Sequence, residues 1–286
     1  MQSLVQAWRR RWWRPDAAAL AAFEGLKPMV VVTGGSEGIG YELARQFAAA
    51  RNDVMLVARR IGPLEEAAAK IRAEHSVEAV AVPADATAPD AIATIEAALA
   101  ARRAYCDVLV NCAGIGLSGP FHGHGETELA SLIDLNVRAL TLWMRHFMAG
   151  MRVRGCGGVL NVASLGGYAP GPNQAAYYAS KAYVLSLTEA VAAETAGEGV
   201  RICALAPGPT NTQFHARMGA ERAMYRLLVP PASAQSVALA GYRGFTLGWR
   251  VTVPGLINPG LALVMRIMPH RIVIPIVGWL LRPRGS

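Results

Sequence analysis

Tyr177 and Lys181 stand four residues apart in Tyr177-Tyr178-Ala179-Ser180-Lys181. On a helix such residues share a face, with Cβ atoms roughly 5–6 Å apart. A tyrosine hydroxyl titrates near ~10, too high for efficient proton transfer at neutral pH, and a fixed ammonium beside it favours the phenolate and lowers that value. The pair could therefore move a proton to or from a substrate oxygen. Tyr178, three residues from Lys181, does not fit the pattern. A second pattern lies nearer the start, Thr33-Gly34-Gly35-Ser36-Glu37-Gly38-Ile39-Gly40. Its glycines permit a tight turn and close approach of a phosphate to the backbone. A helix beginning there would aim free N–H groups and its positive dipole end at that phosphate.

Both patterns sit where strand-like and helix-like segments meet. Strands are predicted at Met29–Thr33, Val54–Ala58, Val77–Val82, Val108–Val110, Gly158–Val162, Val200–Leu205 and Arg250–Val253. Helices are predicted at Gly38–Ala50, Leu64–Ala73, Pro89–Arg102, Glu128–Met151 and Tyr177–Thr195. Continuous apolar strands alternating with helices imply a parallel sheet covered on both faces: an α/β, doubly wound, Rossmann-type sheet whose ligands bind beyond the strands' carboxyl ends. With 286 residues and no internal repeat, one domain is expected over residues 28–255. A basic amphipathic extension (1–27) precedes it and an apolar, basic one (256–286) follows.

Further motifs follow in order. Asp85 comes after the third strand, Asn111-Cys112-Ala113-Gly114 after the fourth, and Asn136, Ser164, Tyr177 and Lys181 after those. Pro207-Gly208-Pro209-Thr210-Asn211-Thr212 ends the series. Together with the TGxxxGxG spacing these resemble the short-chain dehydrogenase/reductase family over about residues 28–255, with Cys112 where the family's NNAG motif has its second Asn. The resemblance implies a catalytic tetrad of Asn136, Ser164, Tyr177 and Lys181. Tyr177 would act as proton donor in reduction and acceptor in oxidation, Ser164 would donate a hydrogen bond to the substrate oxygen, and Asn136 would hold a water linking Lys181 to solvent. It also implies a nicotinamide cofactor site. Thr33, Gly34, Ser36, Gly38, Ile39 and Gly40 would surround the phosphates, and Asp85 would touch the adenine. Asn111, Ala113 and Gly114 follow in the fourth-strand turn, Tyr177 and Lys181 reach the nicotinamide ribose, and Pro207, Gly208, Thr210 and Thr212 hold the carboxamide side.

The second strand ends in Ala58-Arg59-Arg60 and carries no acid there. An acid at that point would take ribose hydroxyls in an NAD site, whereas a guanidinium grips a 2′-phosphate. NADP(H) is therefore expected over NAD(H), with Arg59 as the contact and Glu37 as a departure from relatives that carry a basic residue there; the other reading is that Arg59 and Arg60 are solvated loop charges. The family resemblance further implies that residues 212 to about 242 close over the substrate; there Phe214, His215, Met218, Met224, Tyr225, Leu227 and Leu228 read as either an apolar lid or plain core.

Hydrophobic residues make up 53% of the chain and charged ones 17%, which excludes a disordered chain. No apolar run reaches the ~18 residues of a membrane span. Cys106, Cys112, Cys156 and Cys203 form no metal-type cluster, His122, His124 and His215 lack ligand spacing and read as loop residues, and no metal is expected. Free thiols and the lack of an export signal point to the cytoplasm. The net charge of +8 resides from His215 onward, where nine arginines face one acid, Glu221. Scattered through apolar sequence, they do not suit nucleic acid. Near the N-terminus Met1, Leu4, Val5, Trp8 and Trp12 share a helical face opposite Arg10, Arg11 and Arg14. Both ends either pack on the domain or a second subunit, or attach reversibly to the inner face of an anionic membrane. The leading reading is an NADPH-dependent reductase of a hydrophobic ketone or 3-oxoacyl group, and a homo-oligomer by family resemblance. The alternatives are an alcohol or hydroxysteroid dehydrogenase working oxidatively, and a nucleotide-sensing scaffold without turnover.

Overall fold

Strands that are apolar on both faces must be covered on both faces, and this chain does so around one parallel sheet. The structure, a computed structural model, describes residues 17–220, 224 and 230–282. The strands are β1 Lys27–Thr33, β2 Val54–Ala58, β3 Ala79–Pro83, β4 Ala104–Asn111, β5 Gly158–Val162, β6 Arg201–Leu205, β7 Thr210–Asn211, β8 Ala232–Ser233 and β9 Val251–Thr252. The main helices are α1 Gly38–Ala49, α2 Ile61–His75, α3 Ala91–Ala100, α4 Glu126–Ile133, α5 Leu140–Arg154, α6 Ala175–Glu194, α7 Ala234–Thr246, α8 Asn258–Ile267 and α9 His270–Leu280. The sheet order is β3-β2-β1-β4-β5-β6-β9, and β7 pairs with β8 apart from it. All pairings in the seven-stranded sheet are parallel.

Alternate residues of β1 serve opposite layers, as the period of two demands. Val30 and Val32 join Leu43 and Phe47 of α1, Ile71 of α2 and Phe245 of α7. Met29 and Val31 join Ile95 of α3 and Trp143, Phe147 and Met151 of α5. Each fully buried side chain of this kind contributes about 1.5–3 kcal/mol. At the edge, Arg154 ties the segment before β1 to β4: its guanidinium lies 4.0 Å from the Tyr105 ring and 4.7 Å from the Phe23 ring, and donates to Cys106 O at 2.9 Å.

Two expectations are corrected. The single helix expected over Glu128–Met151 is interrupted by a π-helical turn, Asp134–Ala139, between α4 and α5. The short strand expected at Val108–Val110 is the end of an eight-residue β4, whose Tyr105 and Asp107 hide its first half from an apolar-run reading. The expected N-terminal amphipathic face (residues 1–14) lies outside the described residues. So do Tyr225, Leu227 and Leu228 of the expected lid. The tail beyond 255 forms α8 and α9, which pack against Ala169 and Tyr178.

Candidate active site

The strand order reverses between β1 and β4, and a crevice opens beyond their carboxyl ends, where doubly wound sheets bind ligands. Thr33 fastens these two ends together: its hydroxyl accepts from the N–H groups of Cys112 at 3.1 Å and Ala113 at 3.2 Å. Gly34 has φ +68° and lies so near β4's turn that a Cβ would stand 2.9 Å from Ala113 N. A Cβ at Gly40 would collide with the carbonyl oxygen of Gly34. The turn is thus a cradle of bare backbone that feeds α1, whose first N–H groups have no partners within the helix. A cavity of about 730 Å³ extends from this cradle. Its lining brings together Thr33, Gly34, Ser36, Gly38, Ile39 and Gly40 with Arg59, Asp85, Ala113 and Gly114. Across it stand Ser164, Tyr177 and Lys181, then Pro207, Gly208, Thr210 and Thr212.

Lys181 is buried, and Nζ donates to Val162 O at 2.8 Å. Burial pushes its pKa down from 10.5 to about 8, with Cys112 opposing weakly. Nζ lies 5.8 Å from the centre of the Tyr177 ring. The Cys112 thiol is pushed up to about 12 by burial, against a weak contrary effect of Lys181. It therefore stays protonated beside the ammonium. Tyr177 is also flanked by Phe214, ring centres 5.6 Å apart. Tyr178 has the other role: a Cβ on Gly171 would stand 2.5 Å from Tyr178 Cδ1, and one on Gly166 3.0 Å from its Cζ, so both glycines make room for that ring. Ser164 ends β5's extension, and its hydroxyl accepts from Gly166 N at 3.1 Å.

Two expected site residues stand behind the cavity wall. Asn111 donates to Asn161 Oδ1 at 2.9 Å, and Asn161 donates to Thr188 Oγ1 at 2.9 Å, a buried chain that locks β4, β5 and α6 together. Asn136, in the π-helical turn, accepts from Ile115 N at 2.9 Å and donates to Ile115 O at 2.8 Å and Ser180 Oγ at 3.1 Å. Both of its N–H donors are engaged, so it clamps the turn after β4 to the helix that carries Tyr177 and Lys181. Such one-turn π-bulges recur at functional sites.

Beyond β2, Arg59 and Arg60 are exposed, as is Asp85. Burial acts to raise the Asp85 pKa, but hydrogen bonds from Thr87 N at 2.9 Å and Thr87 Oγ1 at 2.7 Å, helped by Arg59, hold it below the usual carboxylate value. Glu37 faces Arg60 at 3.8 Å and is ion-paired with Arg217, so the basic group absent from the glycine turn arrives from 180 residues away. His215 and Arg217 belong to a helical turn, Phe214–Arg217, and His122 to a 3-10 turn, Phe121–Gly123, rather than to irregular loops. Of the expected lid, Phe214, His215 and Met218 line the cavity. Among the described residues no group of three or more His, Cys, Asp or Glu is placed to hold a metal.

Sequence reasoning missed Gln174, three residues before Tyr177. It is 4% exposed, lines the cavity, and its Nε2 has no hydrogen-bond partner among the described residues. A buried, unpaired N–H donor costs about 1–3 kcal/mol, which singles out Gln174 among the residues of the cavity wall. Helices α8 and α9 form the remaining wall, with Met265, Met268, Val273 and Val277.

The bare-backbone cradle, the α1 N-terminus and the two exposed arginines fit a dinucleotide phosphate chain. Comparison with known proteins agrees. The family model for short chain dehydrogenases matches residues 28–223. Galactitol 2-dehydrogenase (L-tagatose-forming) of Cereibacter sphaeroides is 38% identical over 192 residues, which are 65% of this chain and 73% of that protein. A short-chain dehydrogenase from Sphingobium yanoikuyae, solved in complex with NADPH, superposes with a TM-score of 0.73 at 30% identity, covering 85% of this chain and 96% of that one. A bulky-bulky ketone specific alcohol dehydrogenase from Comamonas testosteroni gives 0.69 at 26%, covering 85% and 95%. With its glycine cradle, its Tyr177–Lys181 pair and two thirds of its length matched by one family model, this chain belongs to the short-chain dehydrogenase family.

Proposed function

We propose that the protein is an NADPH-dependent oxidoreductase that reduces the carbonyl of a hydrophobic ketone or 3-oxoacyl compound to the alcohol. NADPH, when bound, supplies the hydride. Thr33, Gly34, Ser36, Gly38, Ile39 and Gly40 would hold its phosphates, Arg59 its 2′-phosphate and Asp85 its adenine side. Asn111, Ala113 and Gly114 shape the turn between them, and Pro207, Gly208, Thr210 and Thr212 would take the carboxamide side. The NADPH complex of the Sphingobium relative supports this reading, as does the pair of arginines at the end of β2.

Tyr177 gives its phenolic proton to the carbonyl oxygen as negative charge develops there, while the Ser164 hydroxyl donates a hydrogen bond to the same oxygen. Lys181 stabilises the phenolate that remains, and its Nζ would hold the ribose hydroxyls of the bound cofactor. Asn136 keeps the helix that carries both residues in register with the turn after β4. A solvent proton then restores Tyr177. The observation that carries the substrate class is the meeting, in one cavity, of Tyr177, an unpaired Gln174 amide and an apolar wall from α8 and α9. A second carbonyl two carbons from the reacting one gives Gln174 an acceptor, and an acyl chain gives the wall an apolar partner. The bulky-ketone enzyme of Comamonas supports a large substrate. The galactitol dehydrogenase relative favours a second reading, oxidation of an alcohol by the same residues in reverse. Leu142 and Tyr183, exposed on α5 and α6, suit a homo-oligomer contact.

NADPH consumption against ketones and 3-oxoacyl thioesters of increasing chain length tests this. Turnover that rises with chain length and prefers NADPH to NADH is expected. Turnover with polyols and NADP+ alone would replace it with the oxidative reading, and NADPH binding without any turnover would leave a nucleotide-sensing scaffold.

A further inference from the structure

Helices α8 and α9 bury one stripe and leave another open. Val273, Val277 and Leu281, four apart, pack on Ala169 and Tyr178. The opposite side of α9 carries Ile272 (47% exposed) and Trp279 (49%), and at 100° per residue Arg271 and Arg282 run along its border. The outer side of α8 carries Leu263 (59%) and Ile267 (70%). Leu256 and Ile257, just before α8, are open as well. Monomeric soluble proteins rarely expose so many large apolar side chains on two neighbouring helices. From Leu256 to Arg282 the chain has three arginines, Arg266, Arg271 and Arg282, and no Asp or Glu. Arg266 pairs with Glu189 at 3.6 Å, from α6. A second copy laid face to face on this surface would set arginines against arginines. An anionic lipid surface meets both demands: acyl chains for the apolar stripe and headgroups for the guanidinium rim. Among the described residues no helix is long and apolar enough to cross a membrane.

The same helices wall the active-site cavity. Leu261, Val264 and Ile276 both line it and are exposed, so its rim lies on this face. We propose that α8 and α9 form a surface that seats on an anionic lipid monolayer, and that the cavity opens onto it, so that a lipid-borne carbonyl compound reaches Tyr177 without crossing water. The identity of that cargo rests on the proposed reaction, whereas the lipid contact does not.

Flotation of the full chain tests the contact, with vesicles of phosphatidylcholine alone or mixed with phosphatidylglycerol, at low and high salt. Co-flotation with the mixed vesicles at low salt is expected, and it should weaken at least tenfold in high salt or with phosphatidylcholine alone. The variant Ile267→Ser/Ile272→Ser/Trp279→Ser changes no cavity-lining residue, and it should float at least tenfold less while its kcat/KM for a water-soluble ketone stays within about twofold. The charge variant Arg271→Gln/Arg282→Gln, which leaves the apolar face intact, should also float less. A parent chain that stays unbound beside anionic vesicles would overturn the proposal, as would variants that float like the parent. So would a triple variant that turns a dimer into a monomer in sedimentation, because the face would then belong to a second copy. Flotation without ketone turnover would sink the reaction and keep the lipid contact.

Discussion

The proposed reaction needs Lys181 as a cation beside Tyr177, yet it is buried, and burial lowers its pKa to about 8. Between that value and 10.5 the unfolded chain holds this proton more tightly than the fold does, so Lys181 makes stability rise with pH across that window. Lys181→Met removes the effect. The stability of that variant relative to the parent should therefore fall from pH ~7 to pH ~10, by on the order of 2–3 kcal/mol. Paired urea titrations at the two pH values check it, and a constant gap would mean that the ammonium is not desolvated. Turnover should be lost in that variant at every pH. Tyr177→Phe removes the proton donor and should lower kcat by about 10²–10⁴ with cofactor affinity kept. Tyr178→Phe keeps the ring that fills the space at Gly166 and Gly171 and should be far milder. Steady-state kinetics and cofactor titration separate the two, and equal losses would reassign the acid. Arg59→Asp should move preference from NADPH toward NADH by roughly 2–4 kcal/mol in relative kcat/KM if the contact is charge-assisted. An unchanged ratio would make Arg59 a solvated loop charge.

The parallel strands were legible because burial on both faces writes them as apolar runs, uninterrupted in Val54–Ala58 and broken by one residue in Gly158–Val162. The glycine turn and the Tyr177–Lys181 pair were legible because each is local: one turn, one helix face. What stayed hidden depends on contacts between distant residues. The π-helical turn at Asn136 carries no local signal of its own, and its place shows only in the bonds from Asn136 to the Ile115 backbone and to Ser180. Asn161 sits within an apolar strand and declares its purpose only through Asn111 and Thr188. Gln174 becomes notable once its burial and its lack of a partner are known, and Arg217 only once it meets Glu37. The glycine turn makes a prediction at this scale. Gly40→Ala would drive a methyl into the Gly34 carbonyl and force α1 away from the turn. Overpacking of this kind costs about 1–3 kcal/mol. Thermal unfolding should show that loss together with weaker NADPH binding; unaltered affinity would mean that α1 does not set the phosphate site.

At the scale of the whole molecule, the proposed reaction draws its chemistry and its selectivity from different parts of the chain. Ser164, Tyr177 and Lys181 stand on the sheet and α6, which the family match covers. The apolar wall stands on α8 and α9, beyond its end at residue 223. Replacing the wall should therefore alter which substrate is used before it alters the reaction. Each methylene moved from water into an apolar cavity contributes about 0.8 kcal/mol, roughly fourfold in kcat/KM per carbon. For the parent chain, kcat/KM should climb along a ketone series at up to that slope until the cavity is filled. Val264→Ser and Ile276→Ser alter two wall residues at the rim, 46% and 50% exposed, so the fold tolerates them. The double variant should flatten the climb for long ketones and leave the shortest ketone within a few-fold of the parent, because Ser164, Tyr177 and Lys181, the proposed reacting groups, are untouched. A parallel drop at every chain length would mean that α8 and α9 support the catalytic core rather than select the substrate.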